Sequence, residues 1–486
     1  MELVLGPRPH SPCPLALDGG SDLISALPDD LLLLVLACLP CAGAAVRTGV
    51  LSRRWHGLWA RLRQIVLRDV PFDFLEPVLA LIHRPPPMVS LLEIGLPEPQ
   101  LPDTARLNSL LRAAALLDPK EFLFVFPSGL VHGRHGRHVL DLPCFHRATS
   151  IVLSLHSPVH THDNYPIIGR DLPEGVEFPA LETLSMSYCY LHDTDTLLSR
   201  CPRLRTLRLV AVEFNWNGLS VNSPLLEELV VGATCVQRVN IVAPKLMQLT
   251  ISLGTYQEYA VNISISAPMV EKLSWGCHFS RDSGLFGLWW LQHLSLWAER
   301  KGQPPSLQIH ACIESPPIYF HQGASFTQGI EKRLIAAFSD LELNLDTKGH
   351  AFGAFVSHVL EVNQIRCAIK RLKVDLQRSM MEEEEGCPPD CLCEPTDWKS
   401  QTIPLTALEE VDISGFDEND HGFDFLKLIL RSAPMLKRMT IKMSQEASTS
   451  NDGFTKVYNI FKDYSSVLCN VYLSSDEYLE HDQHQE

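Results

Sequence analysis

FPALETLSM (178–186), CPRLRTLRL (201–209), SPLLEELVV (223–231), APKLMQLTI (243–251) and APMVEKLSW (267–275) are one phrase written five times. Its second residue is always proline, at Pro179, Pro202, Pro224, Pro244 and Pro268, and these lie 23, 22, 20 and 24 residues apart. Behind each proline comes an apolar triad at L-x-x-L-x-L spacing. The triads are Leu181, Leu184, Met186; Leu204, Leu207, Leu209; Leu226, Leu229, Val231; Leu246, Leu249, Ile251; and Val270, Leu273, Trp275. The last two members of a triad are two residues apart, so on a strand they point to the same side. A proline just before the strand disrupts no ladder hydrogen bond. One copy cannot bury its own apolar face, so the phrase implies neighbours stacked over a continuous core.

This period falls in the ~20–29-residue range of leucine-rich repeats. Working outward, Leu291, Leu294 and Leu296 fit without the proline, and Phe338, Leu341, Leu343 and Ile369, Leu372, Val374 fit loosely. The phase returns at Leu408, Val411, Ile413 and at Leu436, Met439, Ile441, the latter after Ala433-Pro434. Upstream, QIVL (64–67), SLLEI (90–94), FLFVF (122–126) and SIVLSL (150–155) read as strands of irregular early repeats. The solenoid is therefore expected from about Gln64 to about Leu473. Insertions at 128–138, 156–175, 299–328 and 377–401 interrupt it and should form loops able to carry target-specific contacts.

Ahead of the repeats, residues 1–20 read as a flexible leader. Then comes DLISALPDDLLLLVLACLPCAGAAVRTGVLSRRWHGLWARLRQIVL (22–67). Pro28 with Asp29 and Asp30 is a good helix start. Leu31 to Leu39 are apolar on every side, so this helix should be buried all round or covered by a partner. Pro40 stops it, Ala42 to Val50 reads as a second short helix, and Ser52 can cap a third through Trp55, Leu58, Trp59 and Leu62. Three short helices cannot bury this much apolar surface among themselves. They are either a cap on the solenoid or a partner-binding module.

The order of features in this segment resembles an F-box: a Leu-Pro pair, a leucine-rich helix, Val-Arg-Thr, Leu-Ser-Arg-Arg-Trp and a closing Leu-Trp. The extra small residues Cys41 to Ala45 depart from that pattern. The C-terminal stretches LTALEEVDISGF (405–416), FDFLKLILRSAPMLKRMTI (423–441) and KVYNIFKDYSSVLCNVYL (456–473) resemble the FBD region of plant F-box, leucine-rich-repeat and FBD proteins. The resemblance implies an α/β chain: an F-box at 21–62, an irregular horseshoe with parallel strands at 63–400, an FBD region at 401–474 and an acidic tail at 475–486. It further implies a non-catalytic substrate-recognition subunit of a cullin-type (SCF) ubiquitin ligase. The F-box would bind the Skp-type adaptor, and through it the cullin scaffold, by Leu27, Pro28, Leu31, Leu34, Leu36, Val50, Leu51, Trp55 and Trp59. The repeats would select a protein target. The alternative is a non-degradative scaffold that uses its repeats alone.

Composition agrees with a folded chain. Of 486 residues, 45% are hydrophobic and 20% charged. The net charge of -16 argues against a general nucleic-acid binder. Arg47, Arg53, Arg54, Arg61, Arg63 and Arg68 cluster near the N-terminus but read as the solvated face of the third helix. No early apolar run is long enough for a membrane span, and the start does not read as a signal peptide. The fourteen cysteines are scattered, several in apolar runs, which points to reduced thiols and to the cytoplasm or nucleus.

Neither G-x-G-x-x-G, G-x-x-x-x-G-K nor G-x-S-x-G occurs. His132, His135 and His138 stand three apart without a nearby carboxylate or cysteine at ligand spacing and read as a polar loop. Cys387, Cys391 and Cys393 lack the paired C-x-x-C signature of a zinc site and read as part of a Pro-rich insertion. Asn262-Ile263-Ser264 matches a glycosylation acceptor but reads as strand. No metal and no cofactor is expected.

In such a horseshoe the residues between the buried ones face the concave surface. Here they are Ser185, Arg208, Val230, Thr250, Ser274 and Ser295, with Ser187, Val210, Gly232, Ser252, Gly276 and Trp297 next along. That floor is small and largely neutral, so Arg208, Trp297 and the inserted loops are the expected target contacts.

Overall fold

The computed structural model describes residue 24 and the chain from 27 to 472, apart from 83–88, 98–101, 127–137, 156–164, 169–174, 216–217, 256–261, 280–284, 300–302, 314–325, 378–395, 418–419, 445–450 and a few single positions. The architecture is mixed α/β with one long, mostly parallel ladder. Strands Gln64–Leu67, Leu91–Gly95, Glu121–Phe126, Ser150–Leu155, Thr183–Ser187, Thr206–Phe214, Glu228–Thr234, Gln248–Thr255 and Lys272–Phe279 pair in that order, each parallel to the last. The ladder resumes in parallel through Gln303–Ile313, Asp340–Asp346, Arg371–Gln377, Glu410–Phe416, Arg438–Met443 and Leu468–Tyr472.

The proline of the repeated phrase has a sharper role than keeping out of the ladder. Leu181, Leu204, Leu246, Val270 and Leu436 each donate their N–H to the carbonyl three residues earlier, at Phe178, Cys201, Ala243, Ala267 and Ala433. Proline thus occupies the second position of a β-turn, where its fixed φ is pre-set for the bend. The turn delivers the triad inward. Of the five strong triads, only Val270 is not fully buried. Stacked triads form one core along the ladder, each buried leucine contributing ~1.5–3 kcal/mol before chain entropy is counted.

Repeat length decides what lies on the convex side. The early and late repeats have room for helices, such as Phe72–Ile82, Thr104–Ala115, Gly353–Glu361 and Asp420–Ser432. The short central repeats leave room only for a second strand. Leu219–Asn222, Arg238–Val242 and Asn262–Ser266 form a separate parallel sheet there. Gly218 opens the first of these at φ 74, with a would-be Cβ 2.2 Å from the Arg238 carbonyl oxygen. No other residue fits that approach.

Two expectations need correction. The first concerns the stretch from 289 to 313. Trp289–Glu299 runs antiparallel to Lys272–Phe279, and Gln303–Ile313 runs antiparallel to it in turn. This hairpin replaces the start of the insertion expected at 299–328. Leu291, Leu294 and Leu296 are buried as foreseen, but on a reversed strand. The second concerns the N-terminus. Asp29–Ala37 is an α-helix, and the expected second helix is α at Ala42–Arg47 and 3-10 at Thr48–Val50, but the continuous third helix from Ser52 is replaced by turns and the short 3-10 segment Leu58–Arg61. Gly57 adopts φ 85, a left-handed conformation that an α-helix cannot continue through.

Candidate functional site

Two surfaces carry the residues singled out by sequence. The first is the N-terminal helical module. Leu32 and Leu36 of the first helix are buried, as are Trp55, Leu58, Trp59 and Leu62 behind it. Their burial leaves the opposite faces in water. Leu31, Leu34 and Val35, spaced i, i+3, i+4, are 41%, 63% and 48% exposed. Val46, Val50 and Leu51 form a second exposed row, with Val50 at 88%. The nine candidate adaptor contacts therefore divide. Pro28, Leu31, Leu34, Val50 and Leu51 are exposed and Leu27 is half-buried, whereas Leu36, Trp55 and Trp59 are packed inside the module. Val35 and Val46 join the exposed set; the all-round apolar run hid which side would face out.

The arginines are not all a solvated face. Asp29, in the first turn of the first helix, accepts from Arg54 at 3.0 Å and from Arg61 at 3.0 Å. These bonds hold its carboxyl below the ordinary carboxylate range. They also tie the first helix to the turns that follow the second. Arg68 pairs instead with Glu93 on the neighbouring strand, at 2.6 Å.

The second surface is the concave sheet. Arg208 is engaged with Glu228 of the next strand at 2.6 Å, and Trp297 is 38% exposed on the reversed strand. They stand four strands apart in one outward row, about 19 Å at ~4.8 Å per strand, so the fold does not bring them together. Gly276 is covered by His293, whose Nε2 lies 3.0 Å from where a Cβ would stand. Beside it runs a row of imidazoles. His278 stacks on His293 at 4.4 Å between ring centroids, His310 follows at 5.8 Å, and its Nε2 lies 3.1 Å from Asn344 Nδ2. Burial first, then His278 and His310, lower the pKa of His293 to about 4, so it stays uncharged at neutral pH. The sequence gives no period for this row, because the reversed strand sets the three histidines side by side.

Past the hairpin the floor is no longer neutral. Asp340, Glu342 and Asp346 alternate outward on one strand, Arg371, Lys373 and Asp375 on the next, and Glu410 and Asp412 on the third. Arg371 binds Asp340 at 2.6 Å and Lys373 binds Glu342 at 2.7 Å. Burial would raise the Glu342 pKa, but the bonds from Lys373 and Gln308 bring it down.

Of the remaining candidates, His132, His135, Cys387, Cys391 and Cys393 lie outside the described residues, as do the leader and the acidic tail. His138 faces Thr104 Oγ1 at 3.2 Å. Asn262-Ile263-Ser264 lies on a convex-side strand, as read. No helix among the described residues is long and apolar enough to cross a membrane.

A parallel ladder with inward L-x-x-L-x-L triads, turned at proline and headed by a small helical module, defines a leucine-rich-repeat solenoid. Comparison with known proteins makes this specific. Residues 129–278 match the family described as "FBD-associated F-box protein At5g56370, LRR repeats", and residues 404–441 match the FBD family. F-box protein At1g80960 of Arabidopsis thaliana is 27% identical over 224 residues, covering 45% of this chain and 41% of that protein. F-box/LRR-repeat protein At4g14096 of the same plant is 29% identical over 238 residues, 44% of this chain and 45% of the relative. The chain spans about half, or less, of the curated relatives it matches. Residues 129–278 and 404–441 are thus similar to the leucine-rich-repeat and FBD regions of plant F-box, leucine-rich-repeat and FBD proteins.

Proposed function

We propose that this chain is the substrate-recognition subunit of a cullin-type (SCF) ubiquitin ligase, acting in the cytoplasm or nucleus without catalytic chemistry of its own. Its N-terminal module, an F-box in this reading, docks the Skp-type adaptor, and the concave sheet holds a protein target. The observation that supports the reading most is the two-sidedness of the module. Leu32, Leu36, Trp55 and Trp59 fix it from within, while Leu31, Leu34, Val35, Val46, Val50 and Leu51 remain in water. Rows of large apolar side chains left exposed on a small module mark a partner site.

The test is co-purification of the full chain with a purified Skp-type adaptor. Leu31→Asp with Leu34→Asp should abolish capture while leaving the circular dichroism spectrum and melting temperature unchanged. Capture unaffected by both changes rejects the docking assignment. The scaffold alternative separates in cells: adaptor binding with no protein accumulating when the double variant replaces the parent chain favours a non-degradative role.

A further inference from the structure

The concave floor carries its fixed charge unevenly, and the imbalance lies on three consecutive strands. On Asp340–Asp346, Arg371–Gln377 and Glu410–Phe416 the outward positions hold the carboxylates of Asp340, Glu342, Asp346, Asp375, Glu410 and Asp412. They hold only two cations, Arg371 and Lys373. Each cation is shared. Lys373 hydrogen-bonds Glu342 and also lies in the field of Asp375 and Asp412. Arg371 hydrogen-bonds Asp340 and lies in the field of Glu410 and Asp412. Asp346 Oδ1 is buried and has no hydrogen-bond partner among the described residues.

One border of this surface favours a cation, and the other confines it. On one side stands the imidazole row His278, His293, His310, with His293 kept uncharged, and Trp297 close by on the same reversed strand. These rings offer nitrogen acceptors and an aromatic face, both suited to a guanidinium or ammonium group. Lys272 on that side is engaged with Glu299 at 3.5 Å. On the other side Arg438 and Lys442 close the surface on the strand Arg438–Met443, so the acidic zone is a bounded stripe.

We infer that the stripe between the imidazole row and the strand Arg438–Met443 is the seat of the target, and that its occupant is an extended segment rich in lysine and arginine. This rests on the reading of the concave sheet as a target surface. It adds the place on that sheet and the chemistry of the occupant. Asp346 and Asp375 are the anchoring carboxylates, and the imidazole of His293 is the acceptor beside them.

The experiment uses the full chain and two probes, an acetylated decapeptide of alternating arginine and serine and its glutamate–serine counterpart, by calorimetry at physiological salt. The arginine peptide should bind and the glutamate peptide should not. Asp375→Asn and Asp346→Asn should each weaken binding at least fivefold. His293→Lys, which puts a permanent cation in the row, should weaken it at least tenfold, whereas His293→Gln should change it less than threefold. Asp195→Asn, on the convex-side helix Thr194–Ser199, is the control for diffuse attraction to a chain of net charge -16 and should have less than a twofold effect. Equal weakening by Asp195→Asn, equal binding of the glutamate peptide, or no binding of the arginine peptide overturns the inference. Adaptor capture by Asp375→Asn separates the two levels. Retained capture with lost peptide binding fits the inference, and retained capture with unchanged peptide binding rejects it while leaving the proposed function standing.

Discussion

Val50 and Leu51 offer the sharpest test of the docking face, because what they cost the free protein and what they offer a partner point in opposite directions. They are 88% and 66% exposed, so replacing both with serine removes almost nothing from the core. Full burial of one such side chain is worth ~1.5–3 kcal/mol, and scaling by the exposed fractions gives about 2–5 kcal/mol for the pair on docking. Part of this is absorbed by ordering the interface. A loss of about 1.5–3 kcal/mol remains, or ~10- to 150-fold in Kd for the adaptor. The contrast is Trp55, 5% exposed and packed within the module. Trp55→Ala should cost ~3–5 kcal/mol of folding stability. Calorimetry with the purified Skp-type adaptor and thermal melts of the free chain read the two quantities separately. If V50S/L51S binds within threefold of the parent chain, or melts several degrees lower, the division into a packed side and a docking side is wrong.

Three further outcomes follow from the geometry. Gly415 sits at φ 73 in the bulge between Ser414 and Phe416, with a would-be Cβ 2.1 Å from the Leu376 carbonyl oxygen; Gly415→Ala should lower the urea midpoint by the equivalent of ~2 kcal/mol or more, and an unchanged midpoint refutes the close approach. The depressed pKa of Asp29 means that its bonds to Arg54 and Arg61 support the fold above the unfolded value near 3.8 and are lost as pH falls below it. The stability difference between the parent chain and Asp29→Asn should therefore shrink between pH 5 and pH 3. His293 has the opposite sign: its pKa drops from 6.5 in the unfolded chain to about 4 in the fold, so the unfolded chain takes up the extra proton between those values. Stability should fall as pH falls through that window, by less than one full proton's worth because the ring is partly in solvent, and His293→Gln should flatten the slope; parallel curves for the two proteins contradict the assigned environment.

What could be read from the sequence was set by which signals have a direction. The proline-led triads have one, because proline must precede the strand, and it orients every triad from Leu181 to Trp275. Alternation alone has none. Leu291, Leu294 and Leu296 read equally well forward or backward, so the reversal of Trp289–Glu299 was invisible. Pro304 and Pro305 fit in Gln303–Ile313 because they lie where the ladder slips register between Trp297 and Glu299. Losing the hairpin meant losing the imidazole row, whose members become neighbours only through it. The acidic stripe was missed for another reason. DLELNLD (340–346) and RLKVDLQ (371–377) carry only weak repeat phase, so their charged positions were not recognised as the same outward face that holds Ser185 and Thr250.

The position of the helical module bears on how its role can be tested at all. Residues Ala42–Arg47 pack against the first strand, Gln64–Leu67, whose Ile65 and Leu67 are fully buried. The far end of the ladder has no such cover among the described residues: Leu468 is 59% exposed, and Cys469 and Val471 are only half-buried. In a stack held together by nearest-neighbour contacts, a terminal cap contributes to the stability of the unit beneath it. Deleting residues 21–62 would therefore strip the cover from Ile65 as well as remove the docking face. Loss of target or adaptor binding by that truncation would then mix unfolding of the first repeats with loss of contact. Exposed-face substitutions at Leu31, Leu34, Val50 and Leu51 avoid the confusion, because they leave Leu32, Leu36, Trp55 and Trp59, and hence the cap, in place.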